Sequence, residues 1–261
     1  MSNNTDMVTK NSAGALSPVN LRSDAGKGTE ELKSSDKSTV ILKILHQLSP
    51  ECNTRNAKYV EGAKPGMIYS GSIGSLIDGD KGLDVVVCHT HTRYPEWQER
   101  GDSAAAPVGT HINPPADAVE EKNGKYRLSN GNYCEKTMYF FVLALIKGQA
   151  RRAVITMRSS NLTSGRTLND LLDNLEAEDE QGKFKPAAYS GVFNLKTTGK
   201  NWGDKSWHIY KPSFVRMLDI SKPEDLSIYD TAKKLQEEAF AGAAKPKYEQ
   251  VASTKSNEDI I

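Results

Sequence analysis

The longest apolar stretch of the chain covers residues 137–147 and predicts a β-strand. It reads Thr-Met-Tyr-Phe-Phe-Val-Leu-Ala-Leu-Ile-Lys, has no polar face, and is followed by Gly148. A short run that is apolar at consecutive positions is typical of a strand buried on both faces. Residues 151–157 alternate less strictly, and we expect them to pair with this strand across a turn at 148–150.

Turn-forming residues recur at short intervals along the chain. Residues 78–82, Asp-Gly-Asp-Lys-Gly, separate two apolar stretches and predict a hairpin of 73–77 with 83–89. The Asn-Gly pairs within 122–125 and 129–132 predict further hairpins. Residues 188–198 and 207–215 predict two more strands, and Pro212 makes the second an edge or bulged strand. Residues 39–48 fit either a strand or a helix.

Two segments have leucines or other apolar residues at helical spacing. The first covers residues 160–175, with Ser159 or Ser160 as the expected N-cap. In the second, Ser221 and Glu224 have the spacing of a capping box ahead of apolar positions up to Phe240. Together the patterns predict a mainly β fold, an OB-fold-like barrel with an inserted helix and a C-terminal helix.

The ends of the chain lack this periodicity. Residues 1–38 contain scattered single hydrophobic residues among Ser, Asn, Gly, Lys and Asp, and residues 242–261 are similarly polar. Such segments bury too little apolar surface to offset the entropy of ordering. We therefore expect a disordered N-terminal arm (1–38), one folded domain (39–241) and a flexible C-terminal tail (242–261).

Composition narrows the class of protein. The 261 residues include 34 Lys and Arg against 33 Asp and Glu, and 3 Cys without Cys-x-x-Cys spacing. This cysteine usage favours a reducing compartment and argues against a structural zinc module. The sequence has neither an apolar run long enough for a membrane span nor a signal-like start. We therefore expect a cytoplasmic protein without membrane contact.

The near-zero net charge hides a strong segregation. Residues 120–166 contain nine Lys or Arg and three Glu, residues 167–181 contain six acids and no base, and residues 182–216 contain seven Lys or Arg and one Asp. We call residues 167–181 the acidic block. The two basic stretches also hold most of the aromatic residues. Cations interleaved with aromatic side chains are typical of a groove for single-stranded nucleic acid, because phosphates attract cations and bases stack on rings. Ordinary core packing is the alternative explanation for the aromatics.

Residues 92–101 predict an exposed loop that carries two aromatics and two arginines. On a loop, Tyr94 and Trp97 are less easily explained as core than aromatics on strands. We regard them, with Arg93 and Arg100, as candidates for ligand contact, the alternative being packing beneath the loop.

Three histidines suggest a different chemistry. Alternation along a strand places His89 and His91 on one face, and a distant His111 would complete a three-imidazole zinc site. The main alternative function is therefore a metal-dependent enzyme that uses these residues. No phosphate-binding loop, nucleophile elbow or zinc-protease motif accompanies them. We expect a non-enzymatic protein without a cofactor or metal; a protein-interaction role with all aromatics in the core is the third possibility.

The last residues form an acidic segment tipped with aliphatic side chains. Asn257, Glu258, Asp259, Ile260 and Ile261 fit a docking peptide for a basic-rimmed apolar pocket on a partner protein.

Several stretches resemble bacteriophage single-stranded DNA-binding proteins of the podophage type. They are the strand 83–87 leading to Tyr-Pro-Glu-Trp at 94–97, Asn-Gly-Asn at 130–132, Arg-Arg-Ala-Val at 151–154 followed by Met-Arg-Ser-Ser at 157–160, and Trp207 near a terminal strand. The resemblance implies a protein that coats single-stranded DNA during phage replication and recombination in the cytoplasm of the infected host cell. It also implies that the tail recruits replication, recombination or transcription proteins, in some members the host polymerase. The tails typical of that family carry more acids and often end in Phe.

The expected DNA-binding residues combine the loop 92–101 with the basic aromatic stretches. They are Arg93, Tyr94, Trp97, Arg100, Tyr126, Arg127, Tyr133, Lys136, Tyr139, Arg151, Arg152, Arg158, Lys200, Trp202 and Trp207.

Overall fold

The computed structural model describes residues 27–28, 31, 39–71, 74–99, 106–121 and 124–244. The chain divides into two units, Met1–Lys37 and Ser38–Ile261, and the described strands and helices all lie in the second. The predicted N-terminal arm and C-terminal tail lie almost entirely outside the described residues.

Strands dominate the described residues, which confirms the mainly β prediction. The strands are β1 (Val40–Ile44), β2 (Ile68–Ser70), β3 (Ser75–Ile77), β4 (Leu83–Trp97), β5 (Gly109–His111), β6 (Val119–Glu120), β7 (Lys125–Arg127), β8 (Tyr133–Glu135), β9 (Thr137–Ile146), β10 (Gln149–Arg158), β11 (Ala177–Asp179), β12 (Gly182–Phe184), β13 (Gly191–Trp202) and β14 (Lys205–Met217). The helices described are α1 (Leu162–Asp173) and α2 (Pro223–Phe240).

The main sheet is open, so the predicted barrel does not form in the described part of the chain. Its strand order is β3-β2-β1-β10-β9-β4-β13-β14, and its only parallel pair there is β1 with β10. The long strand β4 changes partners along its length: its first four residues pair with β13, and its end pairs with β5 and with the β8-β7-β6 meander. This exchange of partners branches the sheet instead of closing it.

A helix covers each face of the sheet. Met138, Phe140 and Val142 of β9 belong to a buried cluster with the leucines of α1, whereas Tyr139 and Phe141 belong to a second cluster with α2. Because side chains alternate along a strand, β9 must be apolar at consecutive positions to serve both clusters. The prediction that this strand is buried on both faces is confirmed.

Most of the predicted hairpins are present. Strands β9 and β10 pair across a turn in which Lys147 and Gly148 have positive φ, and the meander pairs β6 with β7 and β7 with β8. Among the described strands, β14 pairs only with β13, which agrees with an edge strand containing Pro212. The predicted hairpin across residues 78–82 is wrong, because β3 pairs with β2 and β4 pairs with β9. The ambiguous segment 39–48 contains strand β1.

The two predicted helix starts differ from the structure in their capping. Helix α1 follows a 3-10 turn at Ser159–Asn161, and the Asn161 side chain accepts a hydrogen bond from the Tyr210 N–H instead of capping the helix. Ser221 donates its hydroxyl to Asp219, so the capping box with Glu224 does not form. Among the described residues, no helix combines the length and apolar character needed to cross a membrane.

Candidate nucleic-acid interface

Strands β13 and β14 continue beyond the main sheet as a two-stranded ribbon. Pairing of β13 with β4 ends at Leu195, whereas its pairing with β14 continues to Trp202. Thr197 anchors this extension: its N–H donates to the Gly79 carbonyl at 2.8 Å and its hydroxyl donates to the Gly66 carbonyl at 2.6 Å. The ribbon is therefore held on one side by the loops that flank β2 and β3.

Alternation divides the ribbon into an inner and an outer face. Leu195 and Tyr210 are buried in the α1 cluster, and Thr197 is buried against Gly66. The residues that alternate with these along β13 and β14 point to the outer face. Register pairs Lys196 with Lys211, Thr198 with Ile209, Lys200 with Trp207 and Trp202 with Lys205. We call this set the outer ribbon face: Lys196, Lys200, Trp202, Lys205, Trp207 and Lys211.

The lysines of the outer ribbon face form an unneutralised positive surface. All four are exposed, and no described acidic residue forms an ion pair with any of them. Lys196 and Lys211 occupy directly opposite positions in the ladder. Like charges at such positions repel each other and destabilise a sheet, so an anion bound between them would remove a cost that the folded protein otherwise carries.

Two tryptophans lie among these lysines. Trp202, beside the turn at Gly203, is 77% exposed, and Trp207 is half-buried opposite Lys200. An aromatic ring with this exposure contributes little to folding, whereas stacking on a base is worth about 1–3 kcal/mol. The face thus offers cations for phosphates and at least one ring for a base.

Helix α1, which carries part of the acidic block, packs on the inner side of the ribbon. The Ser164 hydroxyl in α1 donates to the Tyr210 carbonyl, and Asn161 accepts from the Tyr210 N–H. Leu168 and Leu172 of α1 also share the buried cluster of Leu195 and Tyr210, so the helix that carries Asp170 and Asp173 lies on the inner side of the sheet, away from the outer lysines. Lys185 also pairs with Asp173, and Lys183 pairs with Glu176 at 2.5 Å.

A cleft of about 410 Å³ opens at the base of the ribbon. Asn194, which shares its face with Lys196, lines it together with Lys81 and Lys147, both exposed, and Asp84, which accepts a hydrogen bond from Asn194 at 2.7 Å. The cleft extends the positive surface from the outer ribbon face toward the β9–β10 turn.

A second group of predicted residues meets at the end of β4. Trp97 and Tyr133 are register partners on adjacent strands, with the Arg158 guanidinium 5.1 Å from the Trp97 ring and the Lys125 ammonium 4.3 Å from the Tyr133 ring. Alternation along β4 places Arg93 on the same face. The expectation of a loop at 92–101 is wrong for residues 92–97, which complete strand β4.

Carboxylates already neutralise most cations of this second group. Arg127 bonds to Glu99 at 2.7 Å and to Glu121 at 3.1 Å, and Arg158 pairs with Glu135 at 3.2 Å. A phosphate would have to displace these partners, which makes this group a weaker anion site than the outer ribbon face.

The remaining predicted residues are scattered. Tyr94 and Tyr126 contact each other edge to face, with ring centroids 5.6 Å apart, on the opposite face from Trp97. Tyr139 is 2% exposed and cannot stack on a base, so its assignment is wrong. Arg152 pairs with Glu238 of α2.

Lys136, Arg151 and Arg100 complete the predicted set. The side chains of Lys136 and of Leu162 in α1 both lie beside Gly124, which places Lys136 on the α1 side of the sheet. Arg151 is exposed near the β9–β10 turn and bonds to Gln149 at 2.5 Å. Arg100 and the tail residues Asn257, Glu258, Asp259, Ile260 and Ile261 lie outside the described residues.

The three-histidine metal site does not form. His89 and His91 share a face, with ring centroids 5.5 Å apart, but His111 lies on the other face and contacts Glu96 at 2.8 Å. Burial, with Arg93 nearby, lowers the pKa of His89 and lowers that of His91 to about 4. Both shifts favour the neutral form of the imidazole.

Sequence reasoning missed three lysines of the outer ribbon face: Lys196, Lys205 and Lys211. The spacing of these lysines in the sequence reveals the face once the turn at Gly203 and Asp204 is recognised. Counting outward from that turn in steps of two places each lysine and both tryptophans on one face.

Comparison with known proteins identifies one family. A family model described as Pam3 phage gp34-like protein matches residues 9–245, a range that includes every described strand and helix. No curated protein and no solved structure matches the chain.

Proposed function

The chain belongs to the Pam3 phage gp34-like protein family, and we propose that this phage protein binds single-stranded DNA on the outer ribbon face. The observation that carries the proposal is the register of β13 with β14, which collects four exposed lysines, the exposed Trp202 and the half-buried Trp207 on one face, and no described carboxylate pairs with these lysines. In this proposal the protein binds and protects DNA and performs no chemistry on it.

Electrostatics supports a nucleic-acid ligand over a neutral one. Each lysine that neutralises a phosphate releases condensed counterions, which gives a salt dependence of about −0.7 per contact on a single strand. Four lysines on the ribbon, with Lys81 and Lys147 at the cleft below, offer up to six such contacts. A site of this kind binds without strong sequence preference, because it reads the backbone.

The exposed ring of Trp202 favours a single strand over a duplex. Bases in a duplex are stacked on each other and present only their edges, whereas unpaired bases expose the faces that an indole can cover. Neither described helix is a basic reading helix: α1 ends in acidic residues. The function therefore needs no OB barrel, since a basic aromatic ribbon supplies both contacts.

The biological setting is part of the proposal. A phage protein that coats single strands serves DNA replication and recombination in the infected host cell. The tail 257–261 would recruit a replication, recombination or transcription protein to the coated strand, through its two acids and its Ile-Ile tip.

A direct titration tests the proposal. Fluorescence anisotropy of a labelled poly(dT) oligonucleotide is measured with full-length protein at low and moderate salt, and an unlabelled duplex of the same length is the competitor. We expect saturable, salt-sensitive binding and weak competition by the duplex. Equal affinity for the two DNA forms, or no binding at low salt, contradicts the proposal.

A further inference from the structure

Three side chains of different chemistry converge beneath the end of β4, on the face opposite Trp97. Glu96 in β4, His111 in β5 and Cys134 in β8 each offer one ligand atom, and these atoms all lie within 4.8 Å of one another. The sheet register brings them together, since Glu96 pairs directly with Cys134 and Tyr94 pairs with His111. We propose that Glu96, His111 and Cys134 form a binding site for a thiophilic divalent cation, Zn²⁺ being the ion it fits best.

The donor set selects the metal. One thiolate, one imidazole and one carboxylate are the ligand types that Zn²⁺ accepts, at bond lengths of about 2.0–2.3 Å. Tetrahedral geometry at those lengths puts the donor atoms about 3.3–3.8 Å apart, so binding has to separate Glu96 Oε2 and His111 Nε2 from their present 2.8 Å. Mg²⁺ and Ca²⁺ prefer all-oxygen sites and are disfavoured by the sulfur.

Two asparagines hold the Glu96 carboxylate in the orientation that a metal ligand needs. Asn130 Nδ2 and Asn132 Nδ2 donate to Glu96 Oε1 at 3.2 and 2.6 Å, while the other oxygen, Oε2, lies 2.8 Å from His111 Nε2. Hydrogen bonds that fix one oxygen and direct the other are the usual outer support of metal-binding carboxylates.

Glycine leaves room on one side of the cluster. A Cβ added at Gly109 would lie 3.8 Å from Glu96 Oε2 and 3.9 Å from His111 Nε2. The bare backbone therefore leaves space beside the two ligand atoms for a fourth ligand such as water. Cys134 is fully buried and Glu96 is largely buried, whereas the His111 side chain is 36% exposed and borders solvent.

Binding would change the protonation of the cluster in a defined way. Without a metal, Cys134 is a free, buried thiol. Formation of a metal–sulfur bond breaks the S–H bond and releases that proton to solvent. The cation therefore puts two positive charges beside the Glu96 carboxylate in place of the one proton that left the thiol. It also links β4, β5 and β8, whose positions in the sequence are far apart.

Cobalt spectroscopy on the full-length protein tests the site, because a thiolate bound to Co²⁺ gives a charge-transfer absorption that oxygen and nitrogen ligands do not. We expect one equivalent of Co²⁺ to produce this band, Zn²⁺ to abolish it by competition, and excess Mg²⁺ to leave it unchanged. Cys134→Ser should remove the band, and the matched variant Cys52→Ser should keep it. A missing band in the native chain, its persistence in Cys134→Ser, or its loss in Cys52→Ser would overturn the proposal.

A second pair of variants tests the site without changing the buried Cys134, because replacing a buried cysteine can by itself disturb the fold. His111→Gln changes a partly exposed ligand and should lower Zn²⁺ affinity by at least about tenfold, and Asn132→Ala should lower it by about 10- to 100-fold. Zn²⁺ affinity that is unchanged in both variants would refute the assignment. The result is independent of DNA binding, since the cluster belongs to a different part of the sheet from the ribbon.

Discussion

Lys196 and Lys211 lie directly opposite each other on the two strands of the ribbon, with their side chains on the same outward face. A cross-strand pair of like charges costs stability, and nothing described around it offsets that cost. Sheet surfaces that bind no partner avoid such pairs. The pair is explained if the face meets a polyanion.

Because of this repulsion, removing one of the two charges should raise the stability of the protein and lower its affinity for DNA. Replacing Lys211 with Gln removes one of the two facing charges, so we expect the free energy of unfolding to rise by about 0.2–1 kcal/mol while DNA affinity falls. Urea unfolding and oligonucleotide titration of the same preparation measure both. Lys233→Gln, in the exposed face of α2, is the control for the change in net charge. A Lys211→Gln variant that loses stability and keeps its affinity would contradict this explanation.

Trp202 should matter for binding and not for folding. Because the ring is 77% exposed, Trp202→Ala should leave the unfolding midpoint almost unchanged. Loss of one stacked base costs about 1–3 kcal/mol, which corresponds to a roughly 5- to 150-fold weaker affinity for poly(dT). Phe184→Ala, at another exposed aromatic, serves as the control. Equal affinities of Trp202→Ala and the native protein would exclude this ring from the interface.

The paired cations at the end of β4 should contribute less than the ribbon lysines. Arg158 already bonds to Glu135, and a phosphate has to displace that carboxylate. We therefore expect Arg158→Gln to weaken poly(dT) binding less than Lys200→Gln does, with both affinities measured by anisotropy at the same salt concentration. A larger loss of affinity in Arg158→Gln than in Lys200→Gln would show that the DNA binds on the face of Trp97 and Tyr133.

Asp225 should control stability at acid pH. Its buried carboxylate accepts two hydrogen bonds from Arg216 and one from the Asp219 N–H, and the bond to Arg216 is the main reason that its pKa falls to about 2. A carboxyl with a depressed pKa stabilises the fold above its unfolded pKa near 4, and this contribution disappears as the pH falls from about 4 to 2.

Replacement of Asp225 with Asn should therefore destabilise the protein by about 2 kcal/mol at pH 7. Thermal unfolding at pH 7 and at pH 2–3 compares Asp225→Asn with Asp230→Asn, an exposed position of the same helix. The difference between the two variants should shrink at the lower pH. A difference that is constant with pH would show that the ion pair is not its source.

The sequence predicts local structure well where the residue pattern has a single physical cause, such as burial or the backbone geometry of a turn. The apolar run of β9, the Gly148 turn and the strand pairing on either side of the Asn-Gly segments of the meander follow from burial and backbone geometry alone, and the structure confirms them. The pairing of β3 was wrong, because its partner β2 is too short to be recognised and strand order depends on contacts distant in sequence.

The candidate interface was predicted only in part, for a similar reason. Charge segregation identified the basic stretch 182–216, and Trp202, Trp207 and Lys200 were among the predicted residues. The outer face emerged only from the register of β13 with β14, which also separates these residues from Arg93 and Trp97. The cluster of Glu96, His111 and Cys134 was not foreseen, because it joins three strands.

The most direct test of the account compares two double variants of equal charge in the salt dependence of poly(dT) binding. Lys196→Gln with Lys211→Gln removes two cations from the outer ribbon face, and Lys233→Gln with Lys234→Gln removes two exposed cations from α2. We expect the slope of log K against log salt to become shallower by about 1.4 in the ribbon variant only, since each phosphate contact on a single strand contributes about 0.7. Identical slopes and affinities for the two variants would contradict DNA binding on the ribbon.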